Sequence, residues 1–483
     1  MKLRIARIIE LIWLIWLGAG VGVPGIEVSA QGRAEERLYR EGVARQQSGD
    51  DEAAIELLRR AIAARPNQAA AHSALAYSLG RRGDLAGAIS ELRTATRIDP
   101  QYHEAAFRLG VMLWLRGEYR EALEPLRTAV RLRPGHPESS FYLGQTLRQT
   151  GEIGAAIDEL RRAARLGPRS AEIHRALGLA LSANEEFEAA VVALRRALAI
   201  DPTLLAARND LGLALIQLRR ADEAISTLRA ALASAPDDRP TLHNLGLALM
   251  QKADYTAAIA TYQRLLELAP DDAEGHYNLG LAHKYRDDFE AAAKAFRRAI
   301  SLQPGLPEAH YSLAVTLLQQ AQPAQAVEAL RGAIASKSDF AEAHYLLGTT
   351  RQQQGDLAGA VAALRTAIAL APQSPPYHNA LGAALRQQGD LAGARVSLAE
   401  AARLNKLKSD RQAALFALNA GLKLLREGKS AAAIERLTAA TRLDPTNPDA
   451  HRQLGLALRR AGRLREAATS LQQADQLAPR RDQ

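Results

Sequence analysis

The chain has no cysteine among its 483 residues. That absence excludes disulfides, thiol catalysis, cysteine-based metal sites and a lipidated cysteine, and it leaves stability to packing alone. It also suits an oxidising compartment, where a stray thiol is a liability. Aromatic residues are scarce, at 5%. Such a composition excludes a core built on large rings; abundant Ala and Leu point to closely packed helices instead. Long apolar runs are nearly missing as well. Residues 11–23 form one apolar run, too short for an ordinary membrane span of about 18 or more residues, and no other stretch is apolar enough to span.

That one run belongs to an N-terminal segment with the parts of an export signal. Lys2, Arg4 and Arg7 make a positive end, residues 11–23 are apolar, and Val28, Ser29 and Ala30 offer small side chains to a signal peptidase. Residues 1–30 therefore read as a secretory signal peptide, cleaved after Ala30. Glu10 interrupts the apolar run, and the alternative is an uncleaved N-terminal anchor, which would be the chain's only membrane contact. Either reading places the remainder outside the cytoplasm, periplasmic or secreted, and argues against nucleic acid as a partner.

What the sequence has in place of these features is a repeat. Residues 239–272 and 273–306 align at an offset of 34, matching Leu245 with Leu279, Gly246 with Gly280, Ala258 with Ala292 and Pro270 with Pro304. Within the second of these, Leu279, Leu281 and Ala282, then Ala292, Phe296, Ala299 and Ile300, recur at the spacing of two amphipathic helices. Small residues at Gly280, Ala292 and Ala299 let the two helices approach, Leu279 and Phe296 fill the space beside them, and Pro304 stops the second helix. One such hairpin cannot bury its apolar face alone and must stack on neighbours. Leu279→Ala is accordingly expected to cost about 2 to 5 kcal/mol.

The pattern resembles the tetratricopeptide repeat: a Leu-Gly pair, an Ala twelve residues after the Gly, an aromatic or Leu four further on, another Ala, and a closing Pro. The Gly position falls at Gly42, Ala76, Gly110 and onwards at steps of 34 to Gly382, then at Gly421 and Gly455. The Ala twelve later is kept in all thirteen repeats, from Ala54 to Ala467, while the closing Pro lapses only at Ser338 and Lys406. The resemblance implies an all-α, right-handed superhelical solenoid of about thirteen 34-residue helix-turn-helix repeats. Repeats 1–11 occupy 31–408, a phase-breaking insertion 409–413, repeats 12 and 13 residues 414–481, and a tail 482–483. A hinge or an over-long helix is expected at the insertion, with repeats 12 and 13 as a second block. Pro125 is expected to kink the second helix of repeat 3. The residues after Pro479 are too few for a covering helix, so the last helix is expected to fray, dimerise or dock.

A search for chemistry finds no catalytic or cofactor-binding set, and the chain reads as non-enzymatic, with no cofactor and no metal. Gly428, Lys429 and Ser430 resemble the end of a phosphate-binding loop, but Lys423 stands where that motif needs Gly, and no strand precedes it. His72, His174, His276, His310, His344, His378 and His451 share one register, four before the Gly position. Equivalent residues of stacked helices lie about 8 to 10 Å apart, too far to hold one zinc at about 2 Å, so these histidines read as packing residues.

The excess of Lys and Arg, giving a formal charge of +9, sits largely in one register of the second helices, including Arg59, Arg93, Arg127, Arg161, Arg195, Arg229, Arg297, Arg331 and Arg365. Stacking aligns them into a column. The column is either a solvated face with local pairs such as Asp158 with Arg162, or a strip for an acidic partner such as an anionic polysaccharide or an acidic protein.

The resemblance further implies that the first helices line a groove, exposing positions three and two before the Gly and one, four and five after it. Repeats 2–4 then present Tyr77, Phe107, Trp114 and Phe141, suited to anchoring apolar groups or stacking on sugars. Repeats 7–10 present Asn244, Tyr277, Asn278, Lys284, Tyr285, Tyr311 and Tyr345. Asn244 and Asn278 resemble the asparagine ladder by which superhelical members of the family hold peptide backbone, with Asp210 and Ser312 interrupting it on either side. The expected function is a scaffold whose groove binds an extended segment of envelope proteins. The alternative is binding of anionic polysaccharide in exopolysaccharide assembly or export. Sequence leaves the oligomeric state open.

Overall fold

The computed structural model describes residues 30–478. Residues 1–29 of the expected signal peptide, Pro479 and the tail lie outside them. The described residues form 25 helices and no strand. They are thirteen helical hairpins, with one helix shared between two of them, and they fall into two compact bodies, Met1–Ala269 and Pro270–Gln483.

The Gly position explains how each hairpin closes. A Cβ on Gly110 would lie 2.4 Å from Leu126, one on Gly246 2.4 Å from the Tyr262 ring, and one on Gly280 2.6 Å from Phe296. The side chain sixteen residues later thus fills the place of the missing methyl. Tyr262 and Phe296 are wholly buried, as are nearly all the alanines from Ala54 to Ala467. Leu279 differs from expectation: it is only half-buried, so the core truncation penalty falls on Phe296 rather than on Leu279.

The turn inside each hairpin needs a left-handed residue. Glycine supplies it in eight repeats, from Gly49 to Gly462, but repeats 5–9 use Glu185, Arg219, Ala253, Asp287 and Ala321 at φ of 56 to 61°. In repeat 7 the Ala253 amide bonds to Met250 O and the Asp254 amide to Leu249 O, closing the end of the first helix. Asp254 then caps the second helix through the Ala257 amide, as Asp50, Asp84, Asp288, Asp356 and Asp390 cap theirs.

Second helices end where the closing Pro disfavours helical backbone at the preceding residue, which is extended at Asp99 and Asp201. The histidine register completes this end. The Nε2 of His72, His174, His276, His310, His344, His378 and His451 lies 2.9–3.2 Å from the carbonyl oxygen six residues earlier, that of the closing Pro or of Ser338. A carbonyl only accepts, so Nε2 carries the hydrogen. Helix Pro323–Ser336 stops before Ser338 without a proline. At Lys406 there is no stop, and Leu391–Arg426 is one helix of 36 residues running through the insertion. Between Leu404 and Gly421 there is neither Pro nor Gly to interrupt it. Pro125 lies inside Tyr119–Leu132, which is continuous on both sides of it.

Within each body the second helix of one repeat packs on the first helix of the next, and first helices of successive repeats also touch, as in repeats 1 to 7. The first helices are therefore the inner layer of each stack.

Candidate functional site

The inner layer of the N-terminal body is floored by side chains that tie neighbouring repeats. The residue three before the Gly position in one repeat meets the residue two before it in the next. Arg175 Nε donates to Asp210 Oδ2 at 2.7 Å, and Asn244 Nδ2 donates to Asn209 Oδ1 at 2.8 Å. Arg108 reaches the Ser73 carbonyl at 3.3 Å in the same register. Asn244, expected to face a ligand, is thus buried and spent on the array itself. Asp210, which reads in sequence as an interruption of an asparagine ladder, is a rung of a different ladder. Burial raises its carboxyl above the usual range, opposed by the Arg175 guanidinium.

The aromatic cluster of repeats 2–4 is also less open than its register implied. Phe107 is buried rather than exposed, edge-on to His136 at 5.0 Å and to Tyr142 at 5.9 Å. Trp114 packs against Tyr119 and Tyr142, and Phe141 against Tyr142. Tyr77 is half-buried beneath the Arg108 guanidinium, 5.0 Å from its ring centre. Tyr142, which the register passed over, is the hub; it is buried, and burial pushes its phenol up to about 12. Beneath the cluster lies a knot of polar rings. His103 Nε2 is 3.2 Å and His136 Nδ1 2.8 Å from Ser139 Oγ, with the two imidazoles 4.8 Å apart. Burial, with the neighbouring His136 and Arg133, lowers His103 to about 4. Ser139 is fully buried, so the knot packs repeats 3 and 4 together and offers no accessible nucleophile.

The C-terminal body keeps a more open surface. Tyr277, Tyr311 and Tyr345 occupy the same register of three successive first helices, each half-buried. Tyr277 bonds through its hydroxyl to Ser312, Tyr311 packs on Phe340 at 5.1 Å, and Tyr345 stacks on Tyr377 at 4.8 Å. Tyr377 was not foreseen, because it stands at a position where other repeats carry mostly small buried residues. Burial raises the phenols of Tyr277 and Tyr311 and lowers the Lys284 ammonium. Lys284 lies 5.7 Å from the ring of Tyr285, which is exposed, while Asn278 is buried behind them.

Four arginines of the column engage carboxylates of the following repeat, Arg331 takes Glu328 of its own repeat, and Arg297 bonds to the Gln325 amide. Arg93 pairs with Glu121, Arg127 with Glu152, Arg161 with Glu186 and Arg195 with Glu223, at 2.5 to 3.5 Å. Asp158 pairs with Arg161 rather than Arg162, which takes Glu159. The four pairs to the following repeat are substantially exposed, so each contributes little to stability. Lys429 of the phosphate-loop lookalike pairs with Glu427 at 2.9 Å in an inter-helix turn. Among the described residues no three acidic or histidine side chains converge as a metal site would need, and no helix is long and apolar enough to cross a membrane.

Among solved structures, the chain is similar to a tetratricopeptide repeat protein from Parabacteroides merdae, at 18% identity over 50% of this chain and 96% of that one, with a TM-score of 0.41. It is similar to PilF of Pseudomonas aeruginosa at 21% identity over 46% and 97% of the two chains, TM-score 0.38. The APC/C hetero-tetramer Cut9–Hcn1 aligns over 99% of this chain and 97% of that one at 16% identity, TM-score 0.35. No curated protein matches the sequence. Sequence models described as tetratricopeptide repeat match residues 39–103, 74–137, 141–204, 181–249, 273–306, 311–375, 345–414 and 418–482, and one described as TPR repeat matches 246–285. With these matches covering most of its length, the chain belongs to the tetratricopeptide repeat family.

Proposed function

We propose that this protein is a non-enzymatic scaffold acting outside the cytoplasm, and that it grips an extended peptide segment of an envelope protein along the first helices of repeats 8–10. The observation that carries this reading is the tyrosine ladder Tyr277, Tyr311 and Tyr345, with Lys284 and Tyr285 beside it. A half-buried phenol is held rigid by the neighbours behind it, while its remaining face offers apolar area and a hydroxyl at little entropic cost. Three of them in register suit a chain that runs along the stack. The polysaccharide reading depends on the arginine column, and its pairing with carboxylates leaves less positive charge for an outside anion.

The test is affinity capture from envelope extracts with the mature chain and with a Tyr277→Ala, Tyr311→Ala, Tyr345→Ala variant, followed by binding of synthetic peptides from whatever is retained. A protein held by the native chain and lost by the folded variant, with a peptide that reproduces the difference, is the expected result. Equal retention by both, or retention of anionic glycan that salt removes, overturns the tyrosine-ladder site.

A further inference from the structure

The shared helix Leu391–Arg426 leaves two packing faces without a neighbour. At other repeat junctions within each body, the second helix of one repeat lies beside the first helix of the next. At this junction those two helices are collinear halves of one helix, so neither half can pack on the other.

Exposure follows from that. The residue that opens the second helix is half-buried in repeats 2 to 10, from Leu85 to Leu357, but Leu391 is 65% exposed. It matches Leu464 of repeat 13, at 67%, after which the described residues hold no further repeat. Leu398 is 37% exposed, although its equivalents Leu92, Leu364 and Leu437 are fully covered. On the other half, the residue five before the Gly position is buried in repeats 2 to 11 and in repeat 13. In repeat 12 it is Phe416, 68% exposed, beside Leu415 at 53%. Repeat 11 thus has the face of a last repeat, and repeat 12 the face of a first one.

We propose that a second copy of this chain covers both faces. The argument is continuity with an interface the molecule already uses. The two bare faces are the two halves of the repeat-to-repeat contact made at the neighbouring junctions, and the continuous helix keeps them from meeting within one chain. Two copies with their long helices side by side and antiparallel place the repeat 11 half of each against the repeat 12 half of the other. This is a closed two-fold arrangement that restores both missing contacts at once. The side chains suit the exchange: repeat 11 carries an exposed Arg395 where other repeats carry buried residues such as Ile89 and Val361, and a guanidinium is attracted to the face of an aromatic such as Phe416.

Sedimentation velocity of the mature chain across a concentration series tests the proposal. A reversible dimer is expected, and Phe416→Glu, at an exposed site that leaves the circular dichroism unchanged, is expected to raise its dissociation constant at least about 30-fold, as for a central anchor. Deleting residues 406–410 together with Arg411→Pro returns Gly382 and Gly421 to the 34-residue step and restores the closing proline; repeats 11 and 12 then stack within one chain, and a folded monomer is expected. The cysteine-free background allows a direct reading of register: mixing Arg395→Cys with Phe416→Cys copies should give the mixed disulfide. A chain that stays monomeric at every concentration overturns the proposal. So does a dimer indifferent to Phe416→Glu, or a Phe416→Cys protein that cross-links chiefly to itself.

Discussion

At Gly246 the missing Cβ is replaced by the Tyr262 ring, whereas at Gly348 it is replaced by the branched end of Leu364. A leucine can turn aside within its rotamers; a buried ring has no such freedom. Gly246→Ala is therefore expected to cost about 1–3 kcal/mol and Gly348→Ala distinctly less, measured by urea denaturation of the two variants side by side. Ala76 and Ala314, which already occupy this position opposite Leu92 and Leu330, show the leucine-backed version is tolerated. The turn residue Ala253, held at φ 61°, predicts the opposite sign: Ala253→Gly should stabilise by about 1 kcal/mol by relieving the left-handed strain. His103 gives a pH dependence. Its folded value is depressed to about 4, so as pH falls below the unfolded value of about 6.5 the unfolded chain takes up a proton that the folded chain refuses. Stability present above that pH is lost down to about 4, by at most about 3 kcal/mol. His103→Gln should flatten this part of a melting-temperature profile. At this scale the repeated small residues and the stop prolines were legible, because they serve backbone approach and backbone termination within one hairpin. The fates of Asn244 and Phe107 were not, since each is decided by a partner in a neighbouring repeat that the register alone does not name.

Between elements, the ties across the inner layer matter more than the exposed arginine pairs. Arg175 and Asp210 belong to adjacent first helices and are partly withdrawn from water. Removing the guanidinium leaves a half-buried carboxylate that is already raised by desolvation. A double-mutant cycle on Arg175→Ala and Asp210→Ala should yield a coupling of about 1–3 kcal/mol, against at most about 1 kcal/mol for the exposed pair Arg93 and Glu121. The junction of repeats 11 and 12 shows the limit of reading elements from a pattern. The change of spacing was visible, but a hinge and a continuous helix are both compatible with it. Ser338 and Lys406 both lack the proline, and neither is followed by Pro or Gly before the next Gly position, yet Pro323–Ser336 stops while Leu391–Arg426 runs on. A missing proline alone thus does not abolish the stop; the junction that runs through is the one whose spacing is also five residues longer.

For the whole molecule, the absence of a single core makes stability a sum over repeats and their interfaces. Trp114 is the sole tryptophan from residue 31 onward and lies in the N-terminal body, so its fluorescence reports that body while circular dichroism reports every helix. The two unfolding curves should not coincide. Leu437→Ala, at a fully buried site of repeat 12, should remove about 2–5 kcal/mol locally, shifting the dichroism curve and leaving the Trp114 curve in place. The fold was legible at this scale because thirteen near-copies of one hairpin average out local irregularity; the division at Ala269 and Pro270 leaves no such trace in the register. The rungs from Arg175 to Asp210 and from Asn209 to Asn244 give the N-terminal body a mechanical property. Each bond spans two repeats, so pulling the body along its stacking direction strains these bonds directly and frees their polar groups as they part. A ligand that takes up the freed groups lowers the force at which the rungs yield, and by the same reciprocity tension raises its affinity. Load is then an effector of binding, transmitted through hydrogen bonds that at rest only hold neighbouring repeats together.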